Sequence, residues 1–207
     1  MTLDKMLGKV GVIGRFKPLH NGGAVLLDEL CDNADHVKIG IGSTNIYNER
    51  NPFTPEETKE MIDSYLNERH SNYEIIFVEQ FGHIPEFSDG KRWTEEVLKL
   101  YGELDYFVSG NEYVGKLLNP HYRIIESYTL VPPEQRIKLA ATEVSMEMAC
   151  GEGWRDLVPQ EIEDYLDSNH LVETFRKEFG LQTLALLVND YHSPNGLKEE
   201  KTAIMKV

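Results

Sequence analysis

Val10-Gly11-Val12-Ile13, then Gly14-Arg15-Phe16-Lys17-Pro18-Leu19-His20-Asn21-Gly22-Gly23, then Ala24-Val25-Leu26-Leu27-Asp28-Glu29-Leu30: this stretch decides the fold. It reads as an apolar strand, a tight turn carrying basic and imidazole side chains, and the start of a helix. A helix N-terminus presents unpaired backbone N–H groups and partial positive charge, which suit an anion such as a phosphate. Arg15, Lys17 and His20 add side-chain donors at the same place. The turn therefore points to nucleoside phosphates as ligands and to itself as the seat of the chemistry.

Outward from this turn, apolar runs and helical patterns alternate. Val10 to Ile13 is the first expected strand and Gly22 to Cys31 the first helix. Val37-Lys38-Ile39-Gly40-Ile41 is the second strand, and Thr54-Pro55-Glu56-Glu57 is a capping box with proline at the first helical position. It opens a helix with Met61, Ile62, Tyr65 and Leu66 on one face. Glu74 to Val78, Tyr106 to Ser109 and Tyr122 to Ser127 are further strands, with helices from about Arg92 to Tyr101 and from Tyr113 to Leu118. This alternation predicts an α/β fold with a doubly wound parallel sheet, whose ligands sit beyond the carboxyl ends of the strands at the switch point. Gly14 and Ser109-Gly110-Asn111 both end predicted strands and so point to one cleft. Helices are expected over Thr142 to Ala149, Pro159 to Leu166 and His170 to Phe179.

The 207 residues suit one α/β domain, 1–180, followed by a C-terminal extension, 181–207. The extension comprises an apolar stretch, Leu181 to Val188, and a polar end from His192 to Val207, read as a tail or a partner-contacting segment. A formal net charge of −14 argues against a nucleic-acid-binding surface and makes a phosphate pocket a local cationic island. No apolar run approaches the roughly 20 residues that cross a bilayer, and the first residues lack a signal-peptide pattern, so a cytoplasmic location is expected. Two cysteines, Cys31 and Cys150, make no disulfide framework, and no Cys/His spacing reads as a zinc site.

The Gly14–Gly23 segment resembles the HxGH nucleotidyltransferase superfamily, and within it the archaeal-type nicotinamide mononucleotide (NMN) adenylyltransferases, whose loop reads G-R-F-Q-P-F-H-x-G-H. Other segments match the same family in order. They are Ile39 to Ser43 followed by Asn51-Pro52-Phe53-Thr54, then Phe107 to Asn111, Ala140 to Val144, and Trp154 to Pro159. The resemblance spans about Val10 to Tyr165 and implies an enzyme of NAD biosynthesis that joins ATP to NMN and releases pyrophosphate.

Adenylyl transfer is an in-line displacement at the α-phosphate, catalysed by positioning and charge stabilisation. The resemblance implies His20 and Arg15 as catalytic residues, with magnesium carried by the nucleotide. It assigns Gly14, Arg15, Phe16, His20, Gly22, Gly23, Ser109, Gly110, Asn111 and Thr142 to the nucleotide, with Thr142 expected as a helix cap. Trp93 falls where the family stacks a tryptophan on nicotinamide, and Arg50 is placed to reach the acceptor phosphate. The plain readings are a core tryptophan for Trp93, a solvated arginine for Arg50 and ordinary turn formers at Ser109-Gly110-Asn111.

Two family groups are absent: the second motif histidine is Gly23, and the arginine three residues after the threonine is Ser145. Lys17, Arg50 and Arg136 are candidate replacements, Arg136 lying near that threonine but out of register with the missing arginine. Three functions therefore stand at this point. They are ATP-dependent transfer to NMN, nucleotide binding without turnover, and transfer by the same fold from another triphosphate or to another small phosphomonoester, as in a cytidylyltransferase. Self-association as a homo-oligomer is expected from the resemblance.

Overall fold

The computed structural model describes residues 7–192. In chain order its main elements are β1 (Leu7–Gly14), α1 (Asn21–Asn33), β2 (Ala34–Gly42), α2 (Pro55–Leu66), β3 (Tyr73–Val78), α3 (Lys91–Tyr101), β4 (Tyr106–Ser109), α4 (Glu112–Leu118), β5 (Ile124–Glu126), α5 (Ser127–Leu130), α6 (Ala141–Cys150), α7 (Gln160–Ser168) and α8 (Leu171–His192). Short 3-10 turns occupy Pro85–Phe87, Pro133–Gln135 and Gly153–Leu157. The five strands form one parallel sheet in the order β3-β2-β1-β4-β5. The chain runs outward from β1 to β3 and then crosses back to β4. With right-handed crossovers this reversal puts helices on both sides of the sheet, which is the doubly wound α/β arrangement.

The described residues divide into two compact units. One comprises residues 7–15, 25–46 and 66–136; the other comprises 16–24, 47–65 and 137–192. The first unit holds the sheet. Val10, Val12, Val37, Ile39, Ile41, Phe107 and Val108 are buried strand residues, as expected for a parallel sheet covered on both faces. Tyr101 of α3 is fully buried, edge-on to Phe107, and its hydroxyl donates to the Val12 carbonyl at 2.7 Å. Gly40 is glycine because a Cβ there would overlap the Tyr101 hydroxyl.

The second unit is helical. The Thr54 capping box forms as read: Glu57 N–H donates to Thr54 Oγ1 at 3.1 Å, and Thr54 N–H donates to the Glu57 carboxylate at 2.7 Å. Within this unit Tyr165 donates to Glu60 at 2.7 Å and Tyr47 to Glu178 at 2.5 Å, fastening α2 and the segment before it to α7 and α8.

Three expectations need correction. Helix α8 does not stop near residue 180: Val172, Phe175, Gly180 and Thr183 continue one buried stripe, and the helix follows it. The expected boundary between residues 180 and 181 thus falls inside a helix, while residues 193–207 of the expected tail lie outside the described residues. The last strand is shorter than expected, Ile124–Glu126, because Ser127 already begins α5. Thr142 is not the cap of α6. The cap is Ala140, which stays extended and donates its N–H to the Glu143 carboxylate at 3.2 Å, leaving Thr142 in the first turn.

Candidate functional site

In the first unit the strand order reverses between β1 and β4, which lie parallel to each other. Their last paired positions are Val12 and Val108; Gly14 ends β1, still paired with Ile41 of β2, and Gly110 follows β4, so both lie at the carboxyl ends of the strands that flank the switch point. Arg15 follows Gly14 and is half-buried. The turn after β4 is closed on itself. Asn111 N–H donates to Ser109 Oγ at 3.1 Å, and Asn111 Oδ1 caps α4 by accepting from Tyr113 N–H (2.9 Å) and Val114 N–H (3.2 Å). A Cβ on Gly110 would lie 2.8 Å from the Ser127 hydroxyl. The amide oxygen of Asn111 is thus committed to the helix, as its cap-forming residue type allows. Trp93 is half-buried and packs against the cluster of Val78, Val97, Tyr101 and Phe107.

An open groove of about 810 Å³ lies at the other, amino-terminal ends of the strands, lined by Lys9, Glu103, Asp105, His121 and Tyr122. It is not the expected site. Ligands of parallel sheets collect at the carboxyl ends, where helix N-termini point.

In the second unit, residues 16–20 form the loop that enters α1. Phe16 has φ +52°, a left-handed conformation unusual for a bulky residue and characteristic of functional turns. Lys17 and Leu19 are buried, and the Lys17–Pro18 bond is cis. His20 is the cap of α1. Its carbonyl accepts from Ala24 N–H at 2.9 Å, and its Nδ1 accepts from Gly23 N–H at 3.2 Å. An imidazole taking the role of a Ser or Asp cap was not read from the sequence, although a polar side chain just before a helical run is the signal for it.

Burial lowers the His20 pKa to about 4, so the ring is neutral near pH 7. With Nδ1 accepting, the proton sits on Nε2. His20 is therefore a fixed, neutral N–H donor at a helix N-terminus.

The two glycines differ. A Cβ on Gly22 would lie 2.9 Å from the Ile137 carbonyl oxygen and 3.3 Å from the His20 ring, so only glycine fits. A Cβ on Gly23 would meet only Leu19 closely, at 3.1 Å, with His20 and Phe16 at 3.8 Å. Position 23 could hold a side chain and does not. Ser145 is buried and donates its hydroxyl back to the Ala141 carbonyl at 3.1 Å. Arg50 is exposed, and its N–H donates to Asn48 Oδ1 at 3.1 Å. The structure brings Phe16, His20, Gly22 and Gly23 together with Ile137. Arg136, in the first unit, donates its Nε to the Val131 carbonyl at 2.9 Å and lies over the Tyr128 ring.

Among the described residues no group of three or more His, Cys, Asp or Glu side chains could hold a metal ion, and no helix is long and apolar enough to cross a membrane.

The cytidylyltransferase-like family model matches residues 12–192. The nicotinamide-nucleotide adenylyltransferase of Pyrococcus furiosus is 30% identical over 170 residues, covering 79% of this chain and 85% of that protein. The one from Methanocorpusculum labreanum is 31% identical, covering 80% and 94%. Among solved structures, a bifunctional NMN adenylyltransferase/ADP ribose pyrophosphatase of Francisella tularensis, complexed with AMP and a manganese ion, superposes with a TM-score of 0.64 at 20% identity. That match covers 91% of this chain but only 57% of the Francisella chain, and it speaks for the fold.

Proposed function

From the premise that this chain belongs to the cytidylyltransferase-like family, as an NMN adenylyltransferase-like nucleotidyltransferase, we propose that it binds ATP and transfers the adenylyl group to NMN. In that reaction an NMN phosphate oxygen forms a bond to the α-phosphorus as the bond to the bridging oxygen breaks, and pyrophosphate leaves. The observation that carries the reading is the His20 cap, which aims a neutral N–H donor from the start of α1. Such a donor stabilises charge as it develops on phosphate oxygens without bringing a buried charge of its own. Arg15 supplies a permanent cation at the end of β1. Gly14, Phe16, Gly22 and Gly23 let the backbone approach the phosphates, and Thr142 presents its first-turn position on α6.

Magnesium arrives on the triphosphate and neutralises part of its charge. The assignments of Ser109-Gly110-Asn111 to the base, and of Trp93 and Arg50 to the acceptor, rest on the family resemblance. On this reading the protein works in NAD biosynthesis in the cytoplasm and self-associates as a homo-oligomer.

A second reading, binding without efficient turnover, is favoured by Gly23 and Ser145. Position 23 bears no imidazole, and the serine at 145 turns inward to its own helix. One preorganised donor contributes about 2–4 kcal/mol to a transition state, so two missing donors slow the reaction by about three powers of ten or more. Calorimetric titration with magnesium ATP tests the binding that both readings share. Affinity should fall in Arg15→Ala, and unchanged affinity in that variant counts against the site.

A further inference from the structure

We propose that Asn21 is a positioning residue for His20: its side-chain amide fastens the first turn of α1 to the 3-10 turn Gly153–Leu157 and so holds the imidazole in place. This rests on the function proposed above. The first turn is weak by composition. Gly22 and Gly23 follow one another there, and glycine holds a helix less well than alanine. The His20 cap is part of the same turn, so a frayed turn releases the ring. Asn21 Nδ2 donates to the Asp156 carbonyl at 3.0 Å, across 135 residues of sequence.

The acceptor is well braced. Arg155 binds Glu152 at 2.9 Å, Glu163 at 2.7 Å and Asp167 at 2.6 Å, and its guanidinium lies 4.5 Å from the Trp154 ring centre. Arg176 adds bonds to the Met148 and Gly151 carbonyls and to Glu152. Trp154 itself is fully buried. One hydrogen bond thus ties a soft turn to a segment held by two arginines and three carboxylates. All of these residues belong to the second unit.

The test follows the His20 ring by nitrogen–proton correlation in the isotope-labelled full chain over about pH 3 to 8, with His20→Gln assigning the signal. In the parent the ring should titrate near 4. In Asn21→Ala the loosened ring gains water and loses the Gly23 N–H, and its midpoint should rise by about half a unit or more toward 6.5. Asn21→Leu, similar in size and uncharged, repeats the test should the alanine variant fail to fold. Asp156→Ala keeps the backbone carbonyl and should titrate like the parent. A smaller rise in the Asn21 variants, or an equal rise in Asp156→Ala, overturns the proposal.

A second readout is pyrophosphate release. Asn21→Ala should lose kcat by about tenfold or more, with the KM for ATP changed less than about threefold. A kcat equal to the parent's also overturns the proposal. If the parent neither binds nor turns over ATP, the function fails and the titration alone decides the link between Asn21 and His20.

Discussion

Lowering the pH should destabilise this protein through His20, and replacing that histidine should remove the effect. An unfolded histidine titrates near 6.5, whereas burial brings the folded ring to about 4. Between those values the unfolded chain holds a proton that the folded chain does not, so stability rises with pH across the window. The contribution is fully present above 6.5 and is lost as the pH falls toward 4. Each pH unit inside the window is worth about 1.4 kcal/mol, which gives about 2 kcal/mol lost by pH 5. The ring is only half-buried, so solvent screens part of this and we expect about 1–2 kcal/mol. The assay is urea unfolding of the parent and of His20→Gln at about pH 7.5 and about pH 5. Glutamine can still accept from Gly23 N–H and does not titrate. Groups elsewhere in the chain are common to both proteins and cancel in the comparison. The parent should lose about 1–2 kcal/mol more than the variant on going to the lower pH. Equal losses in the two proteins would mean that the His20 ring is solvated in the folded chain.

The two loop glycines should respond differently to alanine. Gly22→Ala forces a Cβ against the Ile137 carbonyl oxygen and should cost about 1–3 kcal/mol and weaken ATP binding. Gly23→Ala asks only a small shift of Leu19 and gains helix propensity, so its unfolding midpoint and ATP affinity should stay near the parent's; equal damage from both would contradict the geometry. In the sheet, Tyr101→Phe should cost about 1–3 kcal/mol through the lost bond to Val12, and Gly40→Ala a similar amount through overlap with the same hydroxyl. Combined, they should cost less than the sum by at least about 0.5 kcal/mol, because removing the hydroxyl removes the clash; strict additivity in urea unfolding would refute this.

Much of the fold was legible because its signals were local. Thr54 and Glu57 wrote their capping box in four residues, and the β-branched runs at Val10 and Val37 could only be buried strands. The misreadings arose where one local cue was outweighed by another interaction. Gly180 looks like a helix stop, yet it is buried within α8, between Phe175 and Thr183. Ala140 is a poor cap by type, and Glu143 makes it one by reaching back. At the candidate site the sequence indicated the loop but not its wiring. Nothing local to Asn21 predicts a bond to residue 156, and nothing in the turn Ser109-Gly110-Asn111 tells a ligand contact from the α4 cap that the Asn111 oxygen forms. Trp93 touches the core, in line with its plain reading.

The most direct test of the central claim is a coupled assay of pyrophosphate release from the full chain. ATP and CTP are each offered with magnesium against NMN and a panel of other small phosphomonoesters. Release should require ATP and NMN together, with NAD formed in equal amount. The rate should lie about three powers of ten or more below an ordinary turnover of about 10 per second, and be lost in His20→Ala. No release from any pair, or release that His20→Ala leaves unchanged, would contradict the claim.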